Sequence, residues 1–335
     1  MPRCVGDAEQ VGEGVSAAKP RRLPRAGRWA WRGILYVLVL VVAVSGCQWL
    51  ASDGGASLRF SGSRALRHAE KLCALGPRPV GSPAIDRAAD YIERVLQRNG
   101  WEVSTQDFAY RGELVRNVIG KKGSGPLVII ASPYDTRPLA DRDPADRSQP
   151  VVGANEGASG AAVLLELARV LDDGALDGMQ VWLAFLGAEQ RGQIDNWSWA
   201  VGAQRLAESL VVTSTSADRR PEYVVVLHMV GDKDQMLYYE WTSTLWIQEK
   251  LWREAAMLGY AEYFDPRHKY VVTQGSHTPF LRWGIPAALI ADLDYSYWRT
   301  RYDTPDKIGA ESLERVGRTV ERMLKDEPFT PSPAY

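Results

Sequence analysis

The chain has 335 residues, 45% of them hydrophobic and 24% charged, which is enough for one large globular domain with extensions. Forty Lys and Arg against 41 Asp and Glu leave a formal net charge of −1, so there is no excess positive charge to hold a nucleic acid, and none is expected as a partner. The twelve Trp and fourteen Tyr are read as core and pocket wall rather than as a dedicated binding motif.

The first segment reads as a targeting device. Lys19, Arg21, Arg22, Arg25, Arg28 and Arg32 precede an uninterrupted apolar run from Ile34 to Val44, which ends in Val44-Ser45-Gly46-Cys47. That run has the length of a signal-peptide core and falls short of the roughly 20 residues a spanning helix needs. Its end resembles the bacterial lipoprotein box, so residues 1–47 are expected to be a leader cleaved before Cys47, with lipid on the Cys47 sulfur. The alternative is an uncleaved membrane anchor. Either reading exports the domain and holds it outside the cytoplasmic membrane, on the periplasmic face or the cell surface. With Cys4 removed and Cys47 lipidated, Cys73 has no partner, and its apolar neighbours mark it as a buried small side chain.

Residues 48–61, rich in Ser, Gly and Ala, form an expected tether; residues 62–326 form the domain, and 327–335 a tail. Arg64 to Leu75 and Pro83 to Asn99 have helical spacing, the second with Ile85, Ala88, Ala89, Ile92, Val95 and Leu96 on one face and Gly100 at its end. Leu127 to Ala131, Gln180 to Phe185, Tyr223 to Leu227 and Ala287 to Ile290 are short apolar runs suited to buried parallel strands. Helical segments near Ser159 to Leu171, Ala200 to Ser209 and Thr244 to Leu258 alternate with them. The pattern predicts a three-layer α/β/α sandwich with a mostly parallel central sheet, and ligand groups at the carboxyl ends of the strands.

Short motifs punctuate this frame: Leu75-Gly76-Pro77-Arg78, Gly81-Ser82, Gly100-Trp101, Asn117-Val118-Ile119-Gly120, Ala184 to Glu189, Val226 to Gly231, Gly275 to Phe280 and Tyr297 to Thr300. Between them runs ASPYDTRPLADRDPADRSQPVVGANEGASGAAVLLELAR, from Ala131 to Arg169. In this order they resemble the bacterial glutaminyl cyclase-like branch of the family-28 zinc aminopeptidases, with exchanges at the positions that carry chemistry. Pro133 stands where the family has a metal-binding His, and Glu156 where it has a metal-bridging Asp. In place of F-D-G-E-E, Ala188 takes the general-base position and Glu189 the adjoining zinc-ligand position. His228 replaces a metal-site Asp, Ser276 replaces the Asp before His277, and Arg299 replaces the last His ligand. By the same resemblance Asp135 orients metal ligands from the second shell and Trp298 lines the substrate pocket. His277 is either a retained second-shell group or a hydrogen-bonded core histidine. The charged run Asp141 to Arg147 is either a solvated loop or a wall of the pocket.

Zinc needs His, Cys or carboxylate donors. Pro133 offers no side-chain donor, and Arg299 is a permanent cation without a lone pair. Ala188 cannot take a proton, and losing positioned acid–base help typically lowers rates about 100- to 10,000-fold. Two site readings stand side by side. In the first, no cofactor is bound and Arg299 bridges Glu156 and Glu189 in place of a metal. In the second, Glu156, Glu189 and His228 form a rearranged zinc site. The matching functions are a membrane-tethered pseudoenzyme that binds a peptide N-terminus or an envelope protein partner, and an active zinc aminopeptidase or glutaminyl cyclotransferase with moved ligands.

Overall fold

The computed structural model describes residues 59–176, 178–212 and 220–325; the leader, Cys47, most of the tether and the tail lie outside them. In chain order the strands are β1 (Glu102–Tyr110), β2 (Glu113–Gly123), β3 (Leu127–Pro133), β4 (Gln180–Leu186), β5 (Tyr223–His228), β6 (Leu237–Glu240), β7 (Phe264–Tyr270) and β8 (Ala287–Ala291). The α-helices are α1 (Gly62–Cys73), α2 (Pro83–Arg98), α3 (Gly160–Val170), α4 (Val201–Val212), α5 (Leu245–Met257), α6 (Thr278–Arg282) and α7 (Ala310–Lys325). The main sheet has the order β1-β2-β4-β3-β5-β8; β3, β4, β5 and β8 run parallel, and the β1–β2 hairpin joins antiparallel at one edge.

The four apolar runs became the parallel strands because both of their faces are covered. Val128, Ile130, Val181, Leu183, Val225 and Leu227 pack beneath α1, α2, α3, α5 and α7. The alternate residues, Ile129, Ala131, Ala184, Leu186, Val224 and Val226, pack with α4 and with Phe280 of α6. This alternation is the period-two geometry of a strand in a three-layer sandwich. The predicted helices fall within three residues of those observed. For α2 the causes are visible: Ser82 Oγ accepts from Ile85 N at 3.3 Å, Pro83 occupies the first helical turn, and Gly100 adopts φ 73° just past the end.

The sequence reading omits the edge hairpin, the small parallel β6–β7 pair and the final helix. The β1 strand is an edge, with alternating partial exposure and no apolar run. Its turn, Arg111-Gly112, has φ of 50° and 84°, the two positive values of a tight two-residue hairpin, without the usual Asn-Gly signal. The β6–β7 pair is joined through α5, as a parallel pair requires. Glu321 of α7 accepts from the backbone amides of Arg59 and Phe60, tying the chain's entry into the domain to its last helix. Among the described residues no helix is long and apolar enough to cross a membrane.

One side chain fixes the approach to the strand ends. Arg78 is fully buried, and its guanidinium donates to the carbonyls of Leu72, Gly76, Tyr134, Val152 and Gly153 at 3.0–3.3 Å. Its backbone also exchanges hydrogen bonds with Thr136, so the loop before α2 is locked to the loop after β3. A guanidinium suits this task because its donors lie in a rigid plane and can satisfy several carbonyls at once.

Candidate functional site

The carboxyl ends of β3, β4, β5 and β8 open onto a cavity of about 560 Å³. Its walls include Glu189, Gln190, Trp199, His228, Ser276, Trp298 and Arg299. Two buried aspartates set the positions of the residues that carry chemistry there. Asp135, just past β3, accepts from the amides of Glu189 at 3.1 Å and Gln190 at 3.0 Å. Asp303 accepts from the amides of Asn155 at 2.7 Å and Glu156 at 3.1 Å, and from the Tyr295 hydroxyl at 2.9 Å. Each carboxylate thus clamps two consecutive N–H groups, one clamp for each glutamate. Burial pushes Asp135 up to about 7 and Asp303 up to about 6, against the pull of those N–H donors.

Asn117 on β2 holds the chain after β4. Its Oδ1 accepts from Gly187 N at 3.0 Å, and its Nδ2 donates to the Gly202 carbonyl at 2.9 Å. The next residue, Ala188, takes a left-handed conformation with φ 57°. This turn sends the Ala188 methyl into an apolar group with Val80, Val115, Trp197 and Val201, away from the cavity. The general-base position expected at Ala188 is therefore corrected: the adjacent polar side chains that face the cavity are Glu189 and Gln190, one residue further on. In this register an acid stands at the first position of the pair and an amide at the second.

Glu156 sits in a π-helical turn, Asn155–Ser159, that precedes α3. Its Oε1 accepts from the Trp298 indole N–H at 2.8 Å and from Arg299 Nε at 3.5 Å; its Oε2 is buried without a hydrogen bond. Burial raises its pKa, opposed chiefly by the charge of Arg299. Glu189 Oε1 accepts from Ala203 N at 2.8 Å, while its Oε2 is buried without a geometric hydrogen bond. Burial pushes Glu189 up to about 8, so it is largely protonated at neutral pH. His228 Nε2 accepts from the Gln190 amide nitrogen at 3.0 Å, and burial together with Arg299 lowers it to about 4, which fits a neutral ring.

Arg299 pairs with Glu156 alone: among the described residues it makes no ion pair with Glu189, which corrects the expected bridge across both carboxylates. It is held instead by aromatic faces. Its guanidinium carbon lies 4.6 Å from the Trp199 ring centre and 4.5 Å from that of Trp298. Arg137 lies 4.9 Å from the Trp199 ring and Arg142 4.0 Å from that of Trp298, so three guanidinium groups alternate with two indoles. Gly192 is needed at the base of this stack, because a Cβ there would lie 2.0 Å from the Trp199 ring. The charged run from Asp141 to Arg147 closes one side. Its Asp143 is buried, accepting from the amides of Ala145, Asp146 and Arg301, and that contact ties the run to the Arg299 segment.

Pro133 ends β3 and does not line the cavity. His277 is also outside it, buried at 0% exposure and hydrogen-bonded to Thr242 Oγ1 at 2.8 Å and Glu240 Oε2 at 3.2 Å. It serves as a core histidine that pins the loop after β7 to β6, not as a group behind the site. Asp135 lies behind the Glu189 and Gln190 amides, and Trp298 is part of the cavity wall. Asp303, Gln190 and Trp199 went unnoticed in the sequence. Asp303 acts on backbone amides far away in the chain and on the Tyr295 hydroxyl, and the spacing of the Ala188-Glu189-Gln190 run does not reveal which two of its residues turn inward.

A metal ion fits this donor set poorly. Among the described residues no group of three or more His, Cys, Asp or Glu side chains is placed to hold one, so Glu156, Glu189 and His228 are not brought together as a ligand set. The positions around them supply an amide at Gln190 and a cation at Arg299, which already lies against Glu156.

A mostly parallel sheet with helices on both faces, and a cavity at its strand ends with buried carboxylates around it, is the architecture of the zinc exopeptidase and glutaminyl cyclase folds. The chain belongs to peptidase family M28, whose description matches residues 117–324, and within it to the glutaminyl cyclase-like branch. It is similar to a glutaminyl-peptide cyclotransferase-like protein of Bos taurus, at 25% identity over 281 residues, covering 74% of this chain and 72% of that one. An uncharacterized protein of Escherichia coli, YfbL, is 37% identical over 89 residues, a match spanning 26% of this chain and 27% of YfbL. The crystal structure of Tannerella forsythia glutaminyl cyclase superposes with a TM-score of 0.73 at 28% identity, covering 81% of this chain and 100% of that one.

The Glu240 network gives a pH signature. Burial acts to raise Glu240, but His277 and the amides of Thr242 and Val272 outweigh it and hold the carboxyl at about 2. A folded value below the unfolded one contributes stability that is complete above about 4.5 and is lost as pH falls toward 2. Denaturant titrations should therefore show the wild type losing stability relative to Glu240→Gln across that window, by up to about 1.4 kcal/mol per pH unit. Above pH 5 the variant should be the less stable protein, by roughly 1–3 kcal/mol. Parallel stability curves for the two proteins would show that the carboxylate charge is not what the network binds.

Proposed function

We propose that this chain is an exported, membrane-tethered binding protein built on the M28 scaffold, a pseudoenzyme that retains the pocket without the reaction. The observation that carries this reading is Arg299. A guanidinium lies against Glu156 between two indoles, an amide, Gln190, lines the same cavity, and Pro133 at the end of β3 offers no side-chain donor. The cation compensates the buried carboxylate, so the pocket is proposed to hold together with no metal bound. Its ligand is proposed to be a peptide end or the exposed terminus of an envelope protein. The tether is assigned to lipid on Cys47, on the strength of the basic region, the apolar run and the Val44-Ser45-Gly46-Cys47 sequence.

A second reading, a zinc-dependent aminopeptidase or glutaminyl cyclotransferase with moved ligands, draws on Glu189. An acid facing a cavity with its pKa pushed up to about 8 is suited to proton transfer near neutral pH.

Assays with aminoacyl anilides and with N-terminal glutaminyl peptides separate the two. No turnover above blank is expected, with or without added zinc. Zinc-dependent turnover that disappears in Glu189→Ala would replace the pseudoenzyme reading with the second one. For the tether, mass spectrometry of the mature N-terminus should find Cys47 as its first residue, carrying lipid; an intact leader with an unmodified Cys47 rules the lipoprotein assignment out.

A further inference from the structure

The pocket has a charge preference of its own. Five of its wall residues are ionisable: Arg142, Arg299, Glu189, His228 and Tyr270, the last with its hydroxyl donated to Asp294. His228 accepts a hydrogen bond from Gln190 and is spoken for as a neutral ring. Two guanidinium groups therefore face one carboxyl group, and that carboxyl already takes the Ala203 amide on one oxygen. The other glutamate, Glu156, is not part of the wall, and its Oε1 is taken by Trp298 and Arg299.

The two guanidinium groups are also held ready. The only hydrogen bond Arg299 makes through its side chain to another described residue is from Nε, at 3.5 Å to Glu156, so its two terminal nitrogens have no protein acceptor among the described residues. Arg142 has no side-chain hydrogen bond among the described residues; its contact is the Trp298 face at 4.0 Å. Its backbone amide donates to the Arg299 carbonyl at 3.2 Å, which fixes the two residues side by side. Stacking on an indole satisfies the face of a guanidinium and leaves its in-plane N–H groups directed outward. A planar two-oxygen anion matches that fork, because it can accept two parallel N–H bonds from each. The wall also carries the apolar side chains of Leu289, Leu293, Val271 and Val272.

We propose that the pocket captures a carboxylate attached to an apolar body, as at the C-terminal residue of a peptide, with Arg142 and Arg299 as its anchors. This rests on the metal-free reading of the pocket, and it names the end of the ligand that the pocket selects. A free amine meets two cations there, and the one carboxyl group on the wall, Glu189, has a single oxygen left to offer it.

Binding of three small probes to the full-length protein, followed by calorimetry, tests this: N-acetyl-leucine, N-acetyl-leucinamide and leucinamide, each with and without a chelator. N-acetyl-leucine should bind at least about tenfold more tightly than either amide, unaffected by the chelator. Arg142→Gln, an exposed position whose loss leaves the fold intact, should weaken it about tenfold or more. Equal binding of N-acetyl-leucine and its amide, preference for leucinamide, or binding indifferent to Arg142→Gln overturns the proposal while leaving the metal-free reading in place. Binding of the carboxylate that is abolished by the chelator overturns the metal-free reading instead. Inorganic phosphate binding as tightly as N-acetyl-leucine would show that the fork takes any oxyanion and that the apolar wall contributes nothing, which also defeats the proposal.

Discussion

A carboxylate taken out of water must be matched by a cation, by hydrogen-bond donors or by a proton, and four of them converge at the strand ends of this protein. Asp135, Glu156, Glu189 and Asp303 are each almost wholly buried. The structure answers the four in three ways. Asp135 and Asp303 receive pairs of consecutive backbone amides, Glu156 receives an indole N–H and the Arg299 guanidinium, and Glu189 has its pKa raised until a proton is the cheapest companion. Removing any one answer would leave charge stranded beside the others.

That constraint explains why the loops around the cavity look as they do. The amide pairs given to Asp135 and Asp303 dictate the backbone at Glu189-Gln190 and at Asn155-Glu156, and with it the left-handed turn at Ala188. Arg299 itself has φ 58°, a conformation that few non-glycine residues adopt, and its contacts to Trp199, Trp298 and Glu156 hold it there. The stack of guanidinium and indole groups then turns a carboxylate site into one whose wall is cationic on balance.

The sheet was legible because short apolar runs rich in β-branched residues suit strands covered on both faces, as Leu127 to Ala131 and Tyr223 to Leu227 are. The β1–β2 hairpin was not, since an exposed edge strand with an Arg-Gly turn carries neither an apolar run nor a standard turn signal. At the site, the motifs single out Trp298 and Arg299, which line the cavity, and Glu156 and Asp135, which are buried outside its wall. Motif order failed at Ala188, where motif spacing allows the acidic pair to slide by one residue and only the turn forced by Asn117 decides. It left two readings open at His277, because the partner that decides between them, Glu240, is 37 positions earlier in the chain and carries no motif. Long-range polar pairings of this kind leave no periodic trace in a sequence.

The central claim is that a guanidinium occupies the place where charge compensation is needed, so that no metal is required there. A crystal structure of the purified protein, grown with zinc present and recorded on both sides of the zinc absorption edge, tests it most directly. The account predicts Arg299 against Glu156 between Trp199 and Trp298, with no anomalous peak in the cavity. An anomalous peak coordinated by Glu156 and Glu189, with the Arg299 side chain swung away from both indoles, would contradict it.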